Sequence, residues 1–330
     1  MKGSGNVIKS QIYSNKDRIL LCLMIFVFIF GLSGCKTTAN KPATDEKVND
    51  KKAFPITITD DLGRKIYLPS EPHRIVSLAP SNTEILFFLG LDDRVVGVTD
   101  YCDYPKEAKL CNKVGGFKDP SLEKIVVLNP DLVLATGMHQ QLLQQLEDTG
   151  LKVLVLKPKK IEGIFDDIIM VGRAAGIESK ANALTKGLFD RVNAVSQKVE
   201  KVPEKQRPAV YYELWNEPLM SVGRDTITGQ IIELASGKNI TDDCTEQYPQ
   251  ISEEVIIARN PDVMVNSYGH GNNKATTPAD IAARKGWENI AFVKTNRIYT
   301  IDTDLLSNPG PRIVDGLENM ARCLHPEIFK

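Results

Sequence analysis

The hydrophobic positions of the chain fall into two kinds of run that alternate along the sequence. Short apolar runs, such as "RIVSLA" and "VVGV" in the first half and "AVYYEL" and "RIYTI" in the second, are typical of buried parallel strands. Longer runs with helical spacing lie between them, such as "SNTEILFFLG", "DTITGQIIELASG" and "PRIVDGLENMARCL". The stretch "ITITDDLGRKIYL" predicts a hairpin around residues 61–63. The alternation predicts an α/β fold with parallel sheets flanked by helices.

One element of this pattern is written twice. Residues 121–139 read "SLEKIVVLNPDLVLATGMH", and residues 252–270 read "SEEVIIARNPDVMVNSYGH". The second copy lies 131 residues after the first, without a gap, and seven of the 19 positions are identical. The repeat indicates that the chain contains two related halves.

Each copy predicts a short helix followed by a strand. Ser121 and Ser252 suit the N-cap, and Glu123 and Glu254 fall in the first turn, where the helix dipole favours a negative charge. Asn-Pro then ends the helix, because proline cannot continue it. The apolar run that follows predicts a buried strand.

Aromatic and histidine side chains flank each copy. Phe117 or Tyr248 stands four residues before the serine, and His139 or His270 follows the strand. In open α/β sheets, ligands bind outside the carboxyl ends of the strands. Two such halves facing each other would form a cleft with matched walls.

The segment between the two copies predicts a connector. One apolar face runs along a helix at spacings of three and four: Ala181, Leu184, Leu188, Val192, Val195 and Val199. A single long helix joining two lobes would be stiff and would allow little hinge closure. An ordinary surface helix within one domain is the alternative. We therefore expect an N-terminal lobe over 54–160, connecting helices over 161–207 and a C-terminal lobe over 208–330.

Residues 1–35 have the pattern of a secretion signal. A basic start precedes the apolar run Ile19–Leu32, whose 14 residues are fewer than the roughly 20 that span a bilayer. The run ends in "LSGC", which resembles a bacterial lipobox and implies cleavage and lipid attachment at Cys35. An uncleaved anchor is the alternative. Both predictions place the rest of the chain outside the cytoplasm and attached to the membrane.

Composition narrows the classes of function. Residues 36–53 are polar and predict a flexible tether. Once residues 1–35 are set aside, 37 basic and 41 acidic residues remain, a net charge of −4 without a basic stripe. Nucleic-acid binding is therefore not expected.

The remaining cysteines predict one disulfide and leave a second pairing open. Cys102 and Cys111 lie close together in "YCDYPKEAKLC", where an oxidising compartment favours a short-loop bridge. Cys244 and Cys323 either form a second bridge or stay free. No CxxC pattern points to a structural zinc site.

Several longer stretches together resemble a known family. These are "RIVSLAPSNTEILFFLGL", "VVGVTDYCDYP", "KVGGFKDPSLEKIVVLNPDLVLA", "YPQISEEVIIARNPDV" and "LLSNPGPRIV". Over roughly residues 54–330 the chain resembles the helical-backbone substrate-binding lipoproteins of ABC importers, which bind vitamin B12, haem or ferric siderophores, and it is most similar to the B12-binding members. The resemblance implies a class III periplasmic-binding-protein fold and a monomer that carries its ligand to a permease dimer with its ATPase. It implies no enzyme cofactor.

The resemblance also implies which residues contact the ligand. In the B12 binders aromatic side chains enclose the corrinoid between the lobes, and those positions match Tyr101, Phe117 and Tyr248. A further tryptophan of the family aligns with Thr136, which departs from the pattern. A ligand-contacting loop of the C-terminal lobe, aromatic in the family, aligns with the segment Asp304, Leu305, Leu306, Ser307 and Asn308.

Docking to the permease follows from the same resemblance. Members of the family present one glutamate on each lobe to arginines of the two permease subunits, and these glutamates match Glu123 and Glu254. A symmetric permease is met best by the same acidic helix start presented twice. The alternative is that both carboxylates only stabilise the helix N-termini.

Five further residues are candidates for the cleft. His139 and His270 stand at equivalent strand ends, and neutral imidazole is a good ligand for Co and Fe, so either is a candidate axial ligand of a bound tetrapyrrole. Their alternative role is that of solvated or locally hydrogen-bonded loop residues, and Met138 is another candidate axial ligand for haem. Trp215 follows a strand and either lines the cleft or packs in the core. Arg312 either meets a ligand carboxylate or amide, or pairs with Asp304.

Three functions compete on these residues. A corrinoid-binding importer component comes first, a haem or ferric-siderophore binder second, and an exported hydrolase third. Ferric siderophores rank below haem, because anionic catecholates call for several Arg or Lys in the cleft and few fall on the predicted loops. An exported hydrolase is disfavoured, since neither G-x-S-x-G nor H-E-x-x-H occurs.

Overall fold

We describe the fold from a computed structural model of the chain, for residues 54–267 and 276–329. The predicted signal and tether, including Cys35, lie outside the described residues, and so does His270. In the part that is described, no helix is both long and apolar enough to cross a membrane.

The described chain begins with the predicted hairpin. Strands β1 (Ile56–Thr59) and β2 (Lys65–Leu68) pair antiparallel. The Asp60 carboxylate accepts the backbone N–H of Leu62 at 3.1 Å and that of Arg64 at 2.9 Å, which closes the turn. The prediction of a hairpin here is confirmed.

Two four-stranded parallel sheets form the centre of the fold. The first sheet has the order β4-β3-β5-β6 and contains β3 (Ile75–Ser77), β4 (Val95–Val98), β5 (Leu132–Thr136) and β6 (Val153–Leu156). The second has the order β10-β7-β11-β12 and contains β7 (Ala209–Glu213), β10 (Lys238–Asn239), β11 (Val263–Asn266) and β12 (Ile298–Thr300). A small antiparallel hairpin leaves the second sheet and consists of β8 (Trp215–Asn216) and β9 (Leu219–Met220).

Helices connect the strands. Those around the first sheet are α1 (Pro80–Phe88), α2 (Leu122–Val127) and α3 (Gln140–Asp148). Two helices follow it, α4 (Ile161–Ala174) and α5 (Glu178–Val199). Those around the second sheet are α6 (Ile227–Leu234), α7 (Glu253–Arg259), α8 (Pro278–Ala282), α9 (Ala291–Lys294), α10 (Thr303–Ser307) and α11 (Ile313–Leu324).

The two sheets share one topology. When the strands of each sheet are numbered in chain order, their spatial order in both sheets is 2-1-3-4. Each copy of the sequence repeat supplies the third strand and the helix before it. Parallel sheets with helical crossovers confirm the α/β prediction. Below, the half that contains the first sheet is called the N-lobe, and the half that contains the second is called the C-lobe.

One long helix, α5, joins the lobes, and α4 packs against it. Helix α5 carries the predicted apolar face, of which Ala181, Leu188 and Val195 are buried. The chain reverses before it at Gly176, whose φ of 76° suits glycine. Helix α4 then packs against α5 so closely that a Cβ on Gly172 would lie 2.2 Å from that of Ala181. The expected long connecting helix is confirmed as α5, which packs tightly against α4.

Three hydrophobic clusters hold the fold. The largest contains residues of both lobes together with α4 and α5, and Leu188 of α5 is one of them. Each lobe has a further cluster of its own, in which Ile125 and Ile256 occupy equivalent positions of the repeat and are fully buried. The stretch of core shared by both lobes restricts their independent movement.

Candidate ligand-binding site

The repeated Asn-Pro-Asp has the same structural role in both lobes. Asn129 and Asn260 adopt left-handed backbone conformations with φ of 45° and 43°, which end helices α2 and α7. The Asp131 carboxylate then accepts the backbone N–H of His73 and Arg74 at 2.8 and 2.9 Å.

The second copy repeats this contact. The Asp262 carboxylate accepts the backbone N–H of Ala209 at 2.8 Å. In both lobes the aspartate thus ties the repeated strand to the start of the neighbouring strand, β3 or β7. The motif sets where the strands begin, and so which residues follow their carboxyl ends.

Two aromatic side chains form the N-lobe wall of the candidate site. Tyr101 follows β4 and is 62% exposed, whereas Phe117 lies on the loop before α2 and is half-buried. The half-burial of Phe117 has a specific cause. Its ring meets the His139 imidazole edge-on, with centroids 5.3 Å apart and an interplanar angle of 82°.

His139 is a buried support whose ring nitrogens both contact the protein. Its Nδ1 accepts the Thr136 backbone N–H at 3.0 Å, and its Nε2 lies 2.8 Å from the Phe117 carbonyl oxygen. The neutral tautomer with hydrogen on Nε2 satisfies both contacts. Because each ring nitrogen has a protein partner and the side chain is buried, this geometry disfavours axial ligation by His139, which stays a prediction.

The electrostatics agree with this neutral form. Burial lowers the pKa of His139, and the hydrogen bonds with Phe117 and Thr136 oppose that shift. The imidazole therefore stays uncharged at neutral pH. It joins two loops, the one that carries Phe117 and the turn after β5.

Thr136, predicted as a ligand contact, is partly engaged in that turn. Its hydroxyl accepts the Met138 backbone N–H at 3.3 Å and lies 3.2 Å from His139 Nδ1. The Met138 side chain is exposed beside it. A cavity of about 200 Å³ opens next to this turn and is lined by Lys118, Asp119, Pro120, Met138, His139, Gln141, Leu142 and Gln145.

Two exposed aromatics mark the C-lobe wall. Tyr248, the counterpart of Phe117, is 54% exposed. Trp215 lies in β8 just beyond the carboxyl end of β7, is 38% exposed and donates its indole N–H to the Glu217 carbonyl at 2.8 Å. The core-packing alternative for Trp215 is therefore wrong, and the tryptophan buried in this lobe is Trp287.

The predicted C-lobe loop divides into inward and outward residues. Leu306 is fully buried, and its carbonyl accepts the Thr228 hydroxyl at 2.9 Å, so its side chain belongs to the core and its prediction as a ligand contact is wrong. Asp304 and Leu305 are half-buried, and Ser307 is exposed. Asn308 instead turns toward the N-lobe and donates to the Glu84 carboxylate at 3.3 Å.

Two buried ion pairs were not foreseen. Arg312 lies 3.6 Å from Asp304, as expected, but its main partner is Glu84 in α1, at 2.6 Å. At the carboxyl end of β7, Glu213 is buried, and its carboxylate accepts hydrogen bonds from Nη1 and Nη2 of Arg284 at 2.6 and 2.7 Å. These partners are 228 and 71 residues apart in the chain, so no local pattern announces them.

The cysteines do not follow the predicted pairing. Cys102 and Cys111 are free thiols, and Cys102 is buried with its sulfur 3.2 Å from the hydroxyls of both Thr83 and Thr99. Burial raises the pKa of the Cys102 thiol. The predicted Cys102–Cys111 disulfide is therefore absent, because the Cys102 sulfur is held by these hydroxyls inside the N-lobe. Cys244 and Cys323 are also free.

The two candidate docking glutamates occupy equivalent, exposed positions. Glu123 and Glu254 lie in the first turns of α2 and α7, as predicted. Ser121 caps its helix by accepting the Lys124 backbone N–H at 3.3 Å, whereas Ser252 occupies the N-cap position without such a bond. A hydrogen bond from Ser252 instead lowers the pKa of Glu254.

Comparisons with known proteins agree with this architecture. Residues 75–305 match the family described as periplasmic binding protein. A Bacillus subtilis protein named uncharacterized ABC transporter substrate-binding lipoprotein YvrC is 34% identical over 306 residues, covering 91% of this chain and 94% of the relative. A cobalamin-binding protein of Halobacterium salinarum is 33% identical over 290 residues, covering 86% of this chain and 78% of the relative.

A solved structure extends the comparison to the fold. The periplasmic heme-binding protein RhuT from Roseiflexus sp. RS-1 superposes with a TM-score of 0.69 at 26% identity, over 78% of this chain and 99% of that one. Two lobes with parallel sheets, joined by α5, define a class III periplasmic-binding-protein fold. The chain belongs to the periplasmic binding protein family and is thus a solute-binding component of an ABC importer.

Proposed function

We propose that this protein captures a corrinoid, vitamin B12 or cobinamide, in the cleft between its lobes and delivers it to an ABC permease. The observation that carries the proposal is the set of aromatic side chains beside the carboxyl ends of the strands. Tyr101 and Phe117 in the N-lobe and Tyr248 and Trp215 in the C-lobe keep exposed ring surface there. Broad aromatic faces suit the large, mostly apolar ring system of a corrinoid. No catalytic step is part of this role.

The cobalamin-binding relative supports the choice of ligand. That protein shares 33% of its residues with this chain over most of both lengths. The half-buried Asp304 and Asn308 and the exposed Ser307 supply polar side chains at the C-lobe rim, where they would meet the amides of a corrinoid, and Leu305 would add a half-buried apolar contact. Thr136, partly engaged in its turn, would contribute a small polar surface on the opposite wall.

Delivery would use the paired helix starts. Glu123 and Glu254 are exposed at equivalent positions of α2 and α7, and each has an exposed aliphatic neighbour on its helix. Those neighbours, Val126 and Ile257, are 41% and 40% exposed. Each lobe therefore presents an acid beside an apolar side chain, which suits a permease dimer that offers the same basic surface twice.

Anchoring is proposed from the N-terminal sequence. Cleavage before Cys35 and lipid attachment there would hold residues 36–53 as a tether outside the cytoplasmic membrane, with the two lobes and their connecting helices acting as a monomer. The Bacillus relative is named a lipoprotein, which supports this part of the proposal.

Haem is the second candidate ligand. The Roseiflexus structure is that of a heme-binding protein, which favours haem as the alternative. His139 is disfavoured as a ligand of its iron, because both ring nitrogens have protein partners. Ligation would fall to His270 or to the exposed Met138 thioether. A ferric siderophore ranks third.

Parallel titrations test the proposal. The full chain in nanodiscs would be titrated with cyanocobalamin, dicyanocobinamide and hemin by absorbance and calorimetry, with empty nanodiscs as the blank. We expect saturable one-to-one binding of a corrinoid. A hemin Soret shift that is lost in His270→Ala or Met138→Leu, without corrinoid binding, would replace the corrinoid by haem.

A further inference from the structure

In the described structure, a buried ion pair joins the two lobes. Glu84 lies in α1 of the N-lobe, and Arg312 lies just before α11 of the C-lobe. Arg312 Nη2 approaches Glu84 Oε1 at 2.6 Å, and Arg312 Nε approaches Oε2 at 3.0 Å. This two-point geometry is the strongest that an arginine makes with a carboxylate.

The surroundings of the pair enlarge the contact between lobes. The Arg312 guanidinium carbon lies 3.7 Å from the centroid of the Tyr104 ring, which belongs to the N-lobe. Asn308 adds a third donor to Glu84. Gly310 permits the approach, because a Cβ there would lie 3.2 Å from Glu84 Oε2 and 3.5 Å from the Ser81 carbonyl.

This contact between the lobes adjoins the candidate ligand loop, Asp304–Asn308. Helix α10 carries Asp304, Leu305 and Ser307 and is fixed to the C-lobe by the bond from Thr228 to the Leu306 carbonyl. Asn308 and Arg312, immediately beyond α10, are fixed to the N-lobe through Glu84. The loop therefore has one attachment on each side of the cleft.

The energetics make the pair sensitive to substitution. The Glu84 side chain is 3% exposed and that of Arg312 15%. Burial raises the pKa of Glu84, and the Arg312 guanidinium opposes that shift. A buried carboxylate that loses its partner is costly, whereas the same carboxylate in an opened cleft would regain water. Removing Arg312 alone therefore penalises the closed arrangement more than an open one.

We propose that Glu84 and Arg312 form an inter-lobe clasp that holds the cleft closed and positions the ligand loop. The predicted effect of this clasp on corrinoid dissociation rests on the proposed function, whereas its predicted effect on opening of the cleft does not. Arg312 is thus a positioning residue that acts through Glu84. It keeps the Asp304–Asn308 segment at a set distance from the aromatic wall of the N-lobe.

The test compares four proteins in nanodiscs: the unaltered chain, Arg312→Met, Glu84→Gln with Arg312→Met, and Arg284→Met. Arg284 is the matched control, because it forms a two-point bond with the buried Glu213 entirely within the C-lobe. Amide hydrogen exchange is measured over residues 80–88 and 303–312, and cyanocobalamin dissociation by stopped flow. Melting temperatures separate local opening from general loss of stability.

We expect Arg312→Met to accelerate exchange in both segments and to raise the dissociation rate at least tenfold. Adding Glu84→Gln should recover part of both effects, because no unpaired buried carboxylate remains. Arg284→Met should lower the melting temperature yet leave exchange over 80–88 and corrinoid dissociation within threefold of the unaltered chain.

Unchanged exchange in both segments of a folded Arg312→Met protein would overturn the clasp. So would equal effects of Arg312→Met and Arg284→Met on exchange over 80–88. If the unaltered chain binds neither corrinoid nor hemin, the proposed function fails, and the exchange data still decide the clasp.

Discussion

The two copies of the repeat fold alike from the helix to the strand, but the aromatic residues that precede the two helices differ in their contacts. In both lobes an asparagine in a left-handed conformation ends the helix, and the following aspartate, Asp131 or Asp262, binds the start of the neighbouring strand. In the N-lobe the Phe117 ring packs edge-on against His139, whereas the C-lobe counterpart of Phe117, Tyr248, is 54% exposed.

The difference separates what the repeat preserves from what it leaves variable. The preserved part places strands and helix starts, and so places the exposed Glu123 and Glu254 at equivalent positions. The variable part is the contact made by the aromatic residue before each helix, Phe117 or Tyr248. A symmetric partner would require the equivalent glutamate positions, and an asymmetric ligand would require different contacts in the two lobes.

The buried acids differ between the lobes as well. In the C-lobe, Glu213 has Arg284 as its partner. On the N-lobe side, Asp167 of α4 is buried, and among the described residues neither of its oxygens has a hydrogen-bond donor. Burial and the nearby Asp61 carboxyl raise the pKa of Asp167 to about 9. Glu213 is thus satisfied by a cation, whereas the raised pKa of Asp167 favours its protonated form.

The largest expected effect is on transport. Glu123→Ala with Glu254→Ala should abolish corrinoid uptake by cells and leave the dissociation constant of the purified protein unchanged, because both carboxylates are exposed on the helix starts. Each single change should reduce uptake to a similar degree if the lobes dock equivalently. Glu253→Ala, an exposed neighbour in α7, is the control. Weakened ligand binding in the double variant would contradict docking.

The next largest effect is on stability of the C-lobe. Arg284→Met leaves Glu213 buried without a cation, which costs about 3–5 kcal/mol in such pairs. Chemical denaturation would measure this loss in the free energy of unfolding. A loss below about 1 kcal/mol, the level of an exposed pair, would show that water replaces the arginine.

Corrinoid affinity compares the contributions of the aromatic side chains in the two lobes. Tyr101→Ala, Phe117→Ala and Tyr248→Ala should each weaken corrinoid binding by about 1–3 kcal/mol, the scale of burying one large apolar side chain. Tyr67→Ala is the control, since that tyrosine is equally exposed on the hairpin strand β2. If calorimetry finds no loss in any of the three variants, the ligand lies elsewhere.

The buried acid of the N-lobe side should make stability depend on pH. A folded-state pKa of about 9 for Asp167 exceeds the ordinary value of 3.8, so the folded protein holds the extra proton and loses stability as pH rises between these values. Asp167→Asn should remove a slope of up to about 1.4 kcal/mol per pH unit. Its gain in melting temperature should therefore grow from pH 5 to pH 8. Asp166→Asn changes the exposed neighbour, and its melting temperature should depend on pH in the same way as that of the unaltered chain.

The smallest expected effect is the loss of corrinoid affinity when His139 no longer supports Phe117. His139→Ala should weaken corrinoid binding by about 1 kcal/mol, the scale of a lost hydrogen bond, and should cost nothing further in the Phe117→Ala background. His139→Gln, which retains an amide donor for the Phe117 carbonyl, should recover part of the loss. Because the pKa of His139 is lowered, its support should persist at neutral pH and disappear as pH falls. Additive losses in the double variant would contradict a role through Phe117.

The sequence alone determined the elements and their order. Apolar runs predicted six of the eight strands in the two described sheets, all except β6 and β10, and Asn-Pro-Asp and the serine caps predicted where α2 and α7 start and stop. These features depend on the backbone and on partners three or four residues away, so a local pattern contains them. The buried face of α5 was predictable for the same reason.

The tertiary structure decided the partners of individual side chains. His139 meets the Phe117 carbonyl 22 residues away, Arg284 meets Glu213 at 71 and Arg312 meets Glu84 at 228. The Cys102 sulfur faces two threonine hydroxyls although another cysteine is close in the chain. Such pairings depend on how lobes and loops pack, because burial makes a polar group costly until some partner, near or distant in sequence, satisfies it.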